Sequence, residues 1–278
     1  MREIGFEAIA SALSEACVRA CSELPEDVVS ALQAVYARED SPFAKETLRQ
    51  IIENAAIARA AHRPCCQDTG LAVIFAELGR DVHLTCDLQA ALDEGVRRGY
   101  REGFLRKSSL TALSRENFGD NTPAILHLTL TEGDRLKLTI APKGFGSENK
   151  GMLHMLTPAA GIEGVLDAVV ETVKKASGGF CPPGIVGVGV GGTMETACLL
   201  AKRQLLRPVG KFSPDHRIAE LEQELLCRIN ALGIGPMGLG GKTTVLAVHM
   251  AEQPTHIAGL PVAVNLQCHA ARHAEVTI

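Results

Sequence analysis

Tryptophan is absent from this 278-residue chain, tyrosine occurs twice and aromatic residues make up only 4%. Aromatic platforms for stacking nucleic-acid bases are therefore scarcely supplied. An excess of positive charge is also missing: 28 lysine and arginine residues meet 32 aspartate and glutamate residues, for a net charge of −4. That balance excludes the usual electrostatic signature of a nucleic-acid or anionic-membrane binder. No apolar run approaches the roughly 18 residues that a transmembrane helix needs. The opening MREIGFEAIASALSEACVRAC is amphipathic and mixed in charge, without the continuous apolar stretch of a secretory signal. Internal repeats, low-complexity tracts and long linkers are lacking as well. What is present, 46% hydrophobic and 22% charged residues, is an ordinary globular balance. A chain of this length can bury roughly three quarters of its unfolded surface, and it reads as a single domain over residues 1–278.

Nine cysteines are present: Cys17, Cys21, Cys65, Cys66, Cys86, Cys181, Cys198, Cys227 and Cys268. An odd number without an export signal argues against a disulfide framework and for a reducing, cytoplasmic setting. A free cysteine ordinarily packs as a small buried hydrophobe. That explanation suffices for Cys17 and Cys21, one helical turn apart, for Cys198 and Cys227 inside helical runs, and for Cys86 near a strand end. Cys66, Cys181 and Cys268 stand instead at breaks between regular elements.

Periodicity supplies those elements. Residues 3–37 read as helix. Ser41-Pro42 starts a second one over 43–62, with proline at the first helical position. Residues 71–78 read as a strand and 87–103 as helix. AILHLTL and RLKLTIA alternate with period two around Glu132-Gly133-Asp134, which predicts a hairpin. Helices follow over 158–176, 193–206 and 214–233, the last suited to a cap at Gly233. Strands are expected at 184–190 and in the late runs TVLAVHM and PVAVNL. The chain is thus α/β, with a mixed β-sheet and flanking helices.

Glycine-rich polar turns interrupt this pattern, and loops on a rigid scaffold are where binding groups concentrate. Two of them imitate phosphate-binding motifs. Gly187-Val188-Gly189-Val190-Gly191-Gly192 fits G-x-G-x-x-G between a strand and a helix, but the acidic strand end expected about 20 residues later is not there, because Asp215 opens a helix. Gly241-Lys242-Thr243 ends like a P-loop, yet the glycine required five residues earlier is Pro236. Dinucleotide chemistry stays as the reading from a different class. Cys66, Cys181 and Cys268, without C-x-x-C spacing, are compatible with zinc, with an iron–sulfur cluster or with no shared role.

The segments Cys66-Gln67-Asp68-Thr69-Gly70, Lys143-Gly144-Phe145-Gly146-Ser147-Glu148-Asn149-Lys150, Cys181-Pro182-Pro183-Gly184, Gly191-Gly192-Thr193, Gly240-Gly241-Lys242 and the late Cys268 occur in this order. Together they resemble the iron–sulfur hydro-lyases, the class I fumarate hydratases and L(+)-tartrate dehydratases. The resemblance covers nearly the whole chain and is to the α subunit of two-subunit forms, or the N-terminal half of the fused ones. It implies a [4Fe-4S] cluster held by Cys66, Cys181 and Cys268, with the fourth iron open. Cys66 rather than Cys65 is the ligand it implies, because the motif begins directly before Gln-Asp-Thr-Gly.

The resemblance implies reversible hydration of fumarate to (S)-malate, with tartrate dehydration to oxaloacetate as the alternative. Such chemistry removes a weakly acidic proton and expels hydroxide, so it calls for a Lewis acid, a base and cations to hold the dianion. Asp68 is the expected base. Gln67, Asp68, Arg106 and the Gly144 backbone are expected to contact substrate. His256, twelve residues before Cys268, matches the placement of an active-site histidine in the fused enzymes. Phe145 and Glu148 depart from the residues common in those enzymes. Lys143, Lys150 and Lys242 are candidates for the substrate side, and His269, Arg272 and His273 for support around Cys268 or a solvated tail. The remaining cationic groups come from a second subunit in that family. The expected assembly is therefore α2β2 with a β partner meeting the glycine-loop face. A zinc-holding scaffold without activity is the third class considered.

Overall fold

The computed structural model describes residues 2–278. In chain order the elements are β1 (Arg2–Ile4), α1 (Phe6–Ser22), α2 (Glu26–Arg38), α3 (Pro42–Ala61), β2 (Leu71–Gly79), β3 (Val82–Leu84), α4 (Leu88–Glu102), β4 (Ile125–Thr131), β5 (Leu136–Lys143), α5 (Phe145–Glu148), β6 (Met152–Leu156), α6 (Gly161–Ala176), β7 (Gly184–Val190), α7 (Met194–Gln204), α8 (His216–Asn230), β8 (Val245–Glu252), β9 (Leu260–Gln267) and β10 (Ala274–Thr277). The mixed α/β class holds. The helix expected over 3–37 is two helices. Pro25 separates them, because the residue before a proline is driven out of the α region and proline itself suits the entry to the next helix. Among the described residues no helix is long and apolar enough to cross a membrane.

The chain divides into two compact units. The first comprises the residues up to Pro25, Asn54–Gly144 and Arg272–Ile278; the second comprises Glu26–Glu53 and Phe145–Ala271.

In the first unit the strand order is β10-β5-β2-β4. The hairpin expected between β4 and β5 does not form. β2 lies between them, parallel to β4 and antiparallel to β5. Its unbroken apolar run, LAVIFA, buried from Ala72 to Ala76, suits a central strand buried on both faces. The turn at 132–135 wraps the end of β2 instead of joining neighbours: Gly79 N donates to Arg135 O and Asp81 N to Gly133 O, each at 2.9 Å. One face of this sheet carries Ala72, Ile74, Leu138 and Ile140 against α1 and α4. Those two helices approach closely through Gly95 and Gly99. A Cβ at Gly95 would lie 2.8 Å from Leu13 Cβ, and one at Gly99 would lie 2.8 Å from Cys17 Cβ. The close approach seats the next residue, Tyr100, fully inside the core.

In the second unit the order is β6-β9-β7-β8, with β7 and β8 parallel and the other pairs antiparallel. The alternation in Gly184–Val190 is a strand with one face stripped to glycine. Val186 and Val188 join the core with Val169, Phe180 and Leu225. On the other face, Cβ atoms at Gly187 and Gly189 would lie 2.2 and 2.3 Å from the Ala201 and Ala197 carbonyl oxygens of α7. Cys198 and Cys227, expected in the core, are exposed; each lies on the outer side of its helix. Burial, with Arg207 nearby, pushes His249 on β8 down from 6.5 to about 4. An unfolded chain gains that proton as the pH falls below 6.5 while the folded chain does not, so the second unit should lose up to about 3 kcal/mol between pH 6.5 and 4. Chemical unfolding across that window should show the slope, and His249→Gln should reduce it.

Candidate active site

The residues Cys65–Gly70, between α3 and β2, form a turn whose backbone is claimed from several directions within the first unit. Asn54 Nδ2 donates to Cys65 O at 2.7 Å, and Cys65 N donates to Cys21 O at 3.0 Å. Tyr100 Oη donates to the carbonyls of Thr69 and Gly70 at 3.0 and 3.1 Å. Asn121 Nδ2 reaches Gly70 O at 3.2 Å. Arg272 donates through Nη2 to Asp68 O. Backbone groups shielded from water need such partners, and here they come from four helices and loops and from the C-terminal segment. The turn is thereby preorganised.

This turn brings three of the expected residues together. Asp68 Oδ1 accepts from Gly70 N at 3.0 Å. Asp68 Oδ2 faces Gly144, where a Cβ would lie only 3.1 Å away; glycine leaves room for the carboxylate at that point. Thr69 couples the turn to Arg106: Arg106 N donates to Thr69 Oγ1 at 2.9 Å and Thr69 Oγ1 donates to Arg106 O at 3.3 Å. Gln67 and the Arg106 side chain are exposed, while Cys65, Cys66 and Asp68 are half-buried. Burial pushes the Cys21 thiol beneath the turn up to about 12, so Cys21, like Cys17, is a core thiol. Lys143, a candidate for the substrate side, is only 4% exposed.

The second unit gathers the other two cysteines. Cys181 follows a short 3-10 turn in the left-handed conformation, φ +56°, a state that L residues adopt rarely and mostly where surroundings enforce it. His269, directly after Cys268, enforces it: its N–H lies 3.1 Å and its Nδ1 3.0 Å from Cys181 O. The Gly235–Gly238 loop packs on the same turn, since Met237 N donates to Pro182 O at 2.8 Å and a Cβ at Gly178 would lie 3.1 Å from Gly238 Cα. Glu148 is tied inward, receiving Lys202 Nζ and, at 3.1 Å, Asn265 Nδ2. Within neither unit do three His, Cys, Asp or Glu side chains gather into a metal-ligand set among the described residues.

His256 is not brought to these cysteines. It is exposed just before β9, whereas Cys268 follows its far end. The eight residues of β9, a length of about 26 Å, lie between the two positions. His256 instead borders a cavity of about 400 Å³ lined by Ile162, Val190, Met250 and Leu260. Twelve residues in sequence become a whole strand in space. Lys242 is likewise engaged elsewhere, its Nζ on Asp40 and, at 3.3 Å, on Arg38 O.

Both phosphate-like motifs are filled by the protein itself. The Gly191 and Gly192 N–H groups already donate to Pro261 O and Pro254 O at 2.9 and 3.1 Å, so they are spent on the chain and not aimed at a pyrophosphate. In the Gly241-Lys242 turn the buried Glu39 carboxylate accepts from Lys242 N at 2.8 Å. An anion already occupies the place of a phosphate.

Sequence reasoning missed three of the residues that hold the turn, Tyr100, Asn121 and Asn54, and named the fourth, Arg272, only as support around Cys268 or part of a solvated tail. The Gly95/Gly99 pair before Tyr100 was a readable packing signal. For Arg272 only its spacing from Cys268 offered one.

A family model described as Fumarate hydratase (Fumerase) matches residues 10–277. A Methanocaldococcus jannaschii protein provisionally named L(+)-tartrate dehydratase subunit alpha is 44% identical over 259 residues, covering 90% of each chain. The Escherichia coli K12 protein named L(+)-tartrate dehydratase subunit alpha is 32% identical over 266 residues, 92% of this chain and 88% of the relative.

Proposed function

The chain belongs to the fumarate hydratase family, a family of carbon–oxygen lyases, and from that premise we propose that it is the cluster-bearing α subunit of an iron–sulfur hydro-lyase acting on a four-carbon dicarboxylate, with fumarate and (S)-malate as the pair. The observation that carries this reading is the pinned turn, which sets the Asp68 carboxylate against Gly144 and, through Thr69, ties the Arg106 backbone to the turn that carries Cys66.

Cys66, Cys181 and Cys268 are the proposed ligands of a [4Fe-4S] cluster. Their chemistry fits. All three are half-buried at breaks between elements, unlike the sealed Cys17 and Cys21. Gln267 Oε1, buried next to Cys268, accepts no hydrogen bond among the described residues, which suits a polar wall beside a bound group. Three thiolate ligands leave one iron open, and the cluster supplies Lewis acidity there. The remaining work belongs to the chain. Asp68 takes the proton from the carbon beside a substrate carboxylate. Its Oδ1 accepts from Gly70 N, and its Oδ2 faces Gly144, so the carboxylate is held in a fixed orientation. The Arg106 guanidinium receives a carboxylate of the dianion in a two-point grip, and Gln67 with the Gly144 backbone orients the rest.

A β partner completes the site, in an α2β2 assembly in the reducing cytoplasm. The names of the relatives support the partner, and they favour one second reading of the substrate, L(+)-tartrate yielding oxaloacetate. The test uses the αβ complex, prepared without oxygen and assayed in parallel on fumarate, malate and L(+)-tartrate. About four iron and four sulfide per α chain are expected. Asp68→Asn should keep the iron and lose about 100- to 10,000-fold in kcat. An iron-loaded complex that turns over none of these acids would sink the proposal.

A further inference from the structure

Arg272 lies four residues beyond Cys268 and is only 4% exposed, far from the solvated tail its terminal position suggests. The strand that follows fixes it. β10 pairs with β5 in antiparallel register, Ala274 opposite Ile140, and Gly144 directly follows β5. The same pairing therefore sets Arg272 and Gly144 on the same side of the Asp68 turn. Its guanidinium donates through Nη2 to Asp68 O, and Nη1 lies 3.9 Å from Cys65 Sγ. A Cβ at Gly144 would meet Asp68 Oδ2 at 3.1 Å and Arg272 Nη2 at 3.7 Å.

We propose that Arg272 is a positioning residue for the reaction, fixing the Asp68 carboxylate over Gly144 by holding the Asp68 carbonyl. A planar fork with several donors can hold a carbonyl and lie along a neighbouring sulfur at once, which the point charge of lysine cannot. Burying a guanidinium also costs desolvation that an apolar side chain of similar length would avoid. The arrangement sacrifices stability for a fixed base. Arg272 touches no substrate in this scheme; it acts through Asp68.

The inference rests on the hydro-lyase reading, so its test has one readout that needs no substrate. Arg272→Lys and Arg272→Met are made in the αβ complex, and hydrogen exchange is followed in peptides covering 65–70, β2 and β5. Exchange at 65–70 should rise about tenfold in both variants, with the strand peptides unchanged. kcat per iron should fall about 100-fold, the cost of a misplaced reacting group, with KM within about threefold. If Arg272→Met does not fold, Arg272→Lys carries both readouts. Unchanged exchange at the turn overturns the proposal, and so does a loosened turn with full kcat in an enzyme whose parent is active. A parent complex that is inactive overturns the hydro-lyase reading and the positioning role with it.

Discussion

Replacing Cys181 with serine should strip the α chain of iron and sulfide and lower turnover by at least about 1,000-fold, the worth of several kcal/mol of Lewis-acid stabilisation. Serine is the informative replacement because Cys181 has two roles. Its backbone, left-handed and bonded to His269, shapes the turn between the 3-10 helix and β7; its thiol is the proposed ligand. Serine keeps the size and leaves the carbonyl available to His269, so a loss of iron reports on the sulfur alone. Cys198→Ser is the matched control, since Cys198 is exposed on α7 and its replacement should leave the iron at the parental level. Iron, acid-labile sulfide and the visible spectrum, measured on the anaerobic complex, give the result. Full iron in Cys181→Ser would remove Cys181 from the ligand set; loss of iron in both variants would point to general damage.

The polar turns proposed to carry the chemistry were legible because their residues are local. Pro-Cys-Cys-Gln-Asp-Thr-Gly has a breaker at each end and polar groups between them, and it is a turn in the structure. The late strands over Val245–Glu252 and Leu260–Gln267 also lie where an apolar run predicts them. Pairings between distant segments were not legible. A glycine between two alternating runs suggests a hairpin, and nothing near residues 124–141 says that β2, fifty residues earlier, will enter between them. Exposure failed for the same reason. Cys198 and Cys227 sit in helical runs, but which side of a helix faces the sheet depends on the partner. In α7 that side is chosen by Gly187 and Gly189 of another element. His256 shows the limit of spacing: twelve residues can be a loop or the length of a strand. Arg272 shows the converse, a terminal charge that β10 pairing buries. The G-x-G-x-x-G match misled because glycine serves helix packing as readily as phosphate binding.

Breaking the Glu222–Arg207 pair should be the most destabilising single change in the second unit. Glu222, on α8, is fully buried. Its Oε1 accepts from Arg207 Nη1 at 2.5 Å and from Met250 N at 2.7 Å, and its Oε2 from Ser213 N at 2.9 Å. Arg207 also donates to Met250 O at 2.8 Å and to Gln204 Oε1 at 2.6 Å. One carboxylate thus joins α8, β8 and the segment after α7, and every donor aimed at it expects an acceptor. Glu222→Gln is close in size but places an NH2 where at least one N–H already points, and it leaves the Arg207 charge uncompensated. Removing one partner of a buried pair costs about 3–5 kcal/mol, a large share of the roughly 5–15 kcal/mol that holds a folded protein together. The unfolding midpoint should therefore drop by about 10 °C. Removing both charges is different. Arg207→Met with Glu222→Gln takes away the charge and its counter-charge together and keeps an amide oxygen for Met250 N, so the double variant should be more stable than Glu222→Gln alone. Thermal and urea unfolding of the three proteins decides the matter. A loss below about 1 kcal/mol in Glu222→Gln, the scale of an exposed pair, would mean that water reaches this site. Because Glu222 belongs to the core of the second unit and has no role in the proposed chemistry, kcat per iron in the folded fraction should be unchanged, which separates a failure of stability from a failure of chemistry.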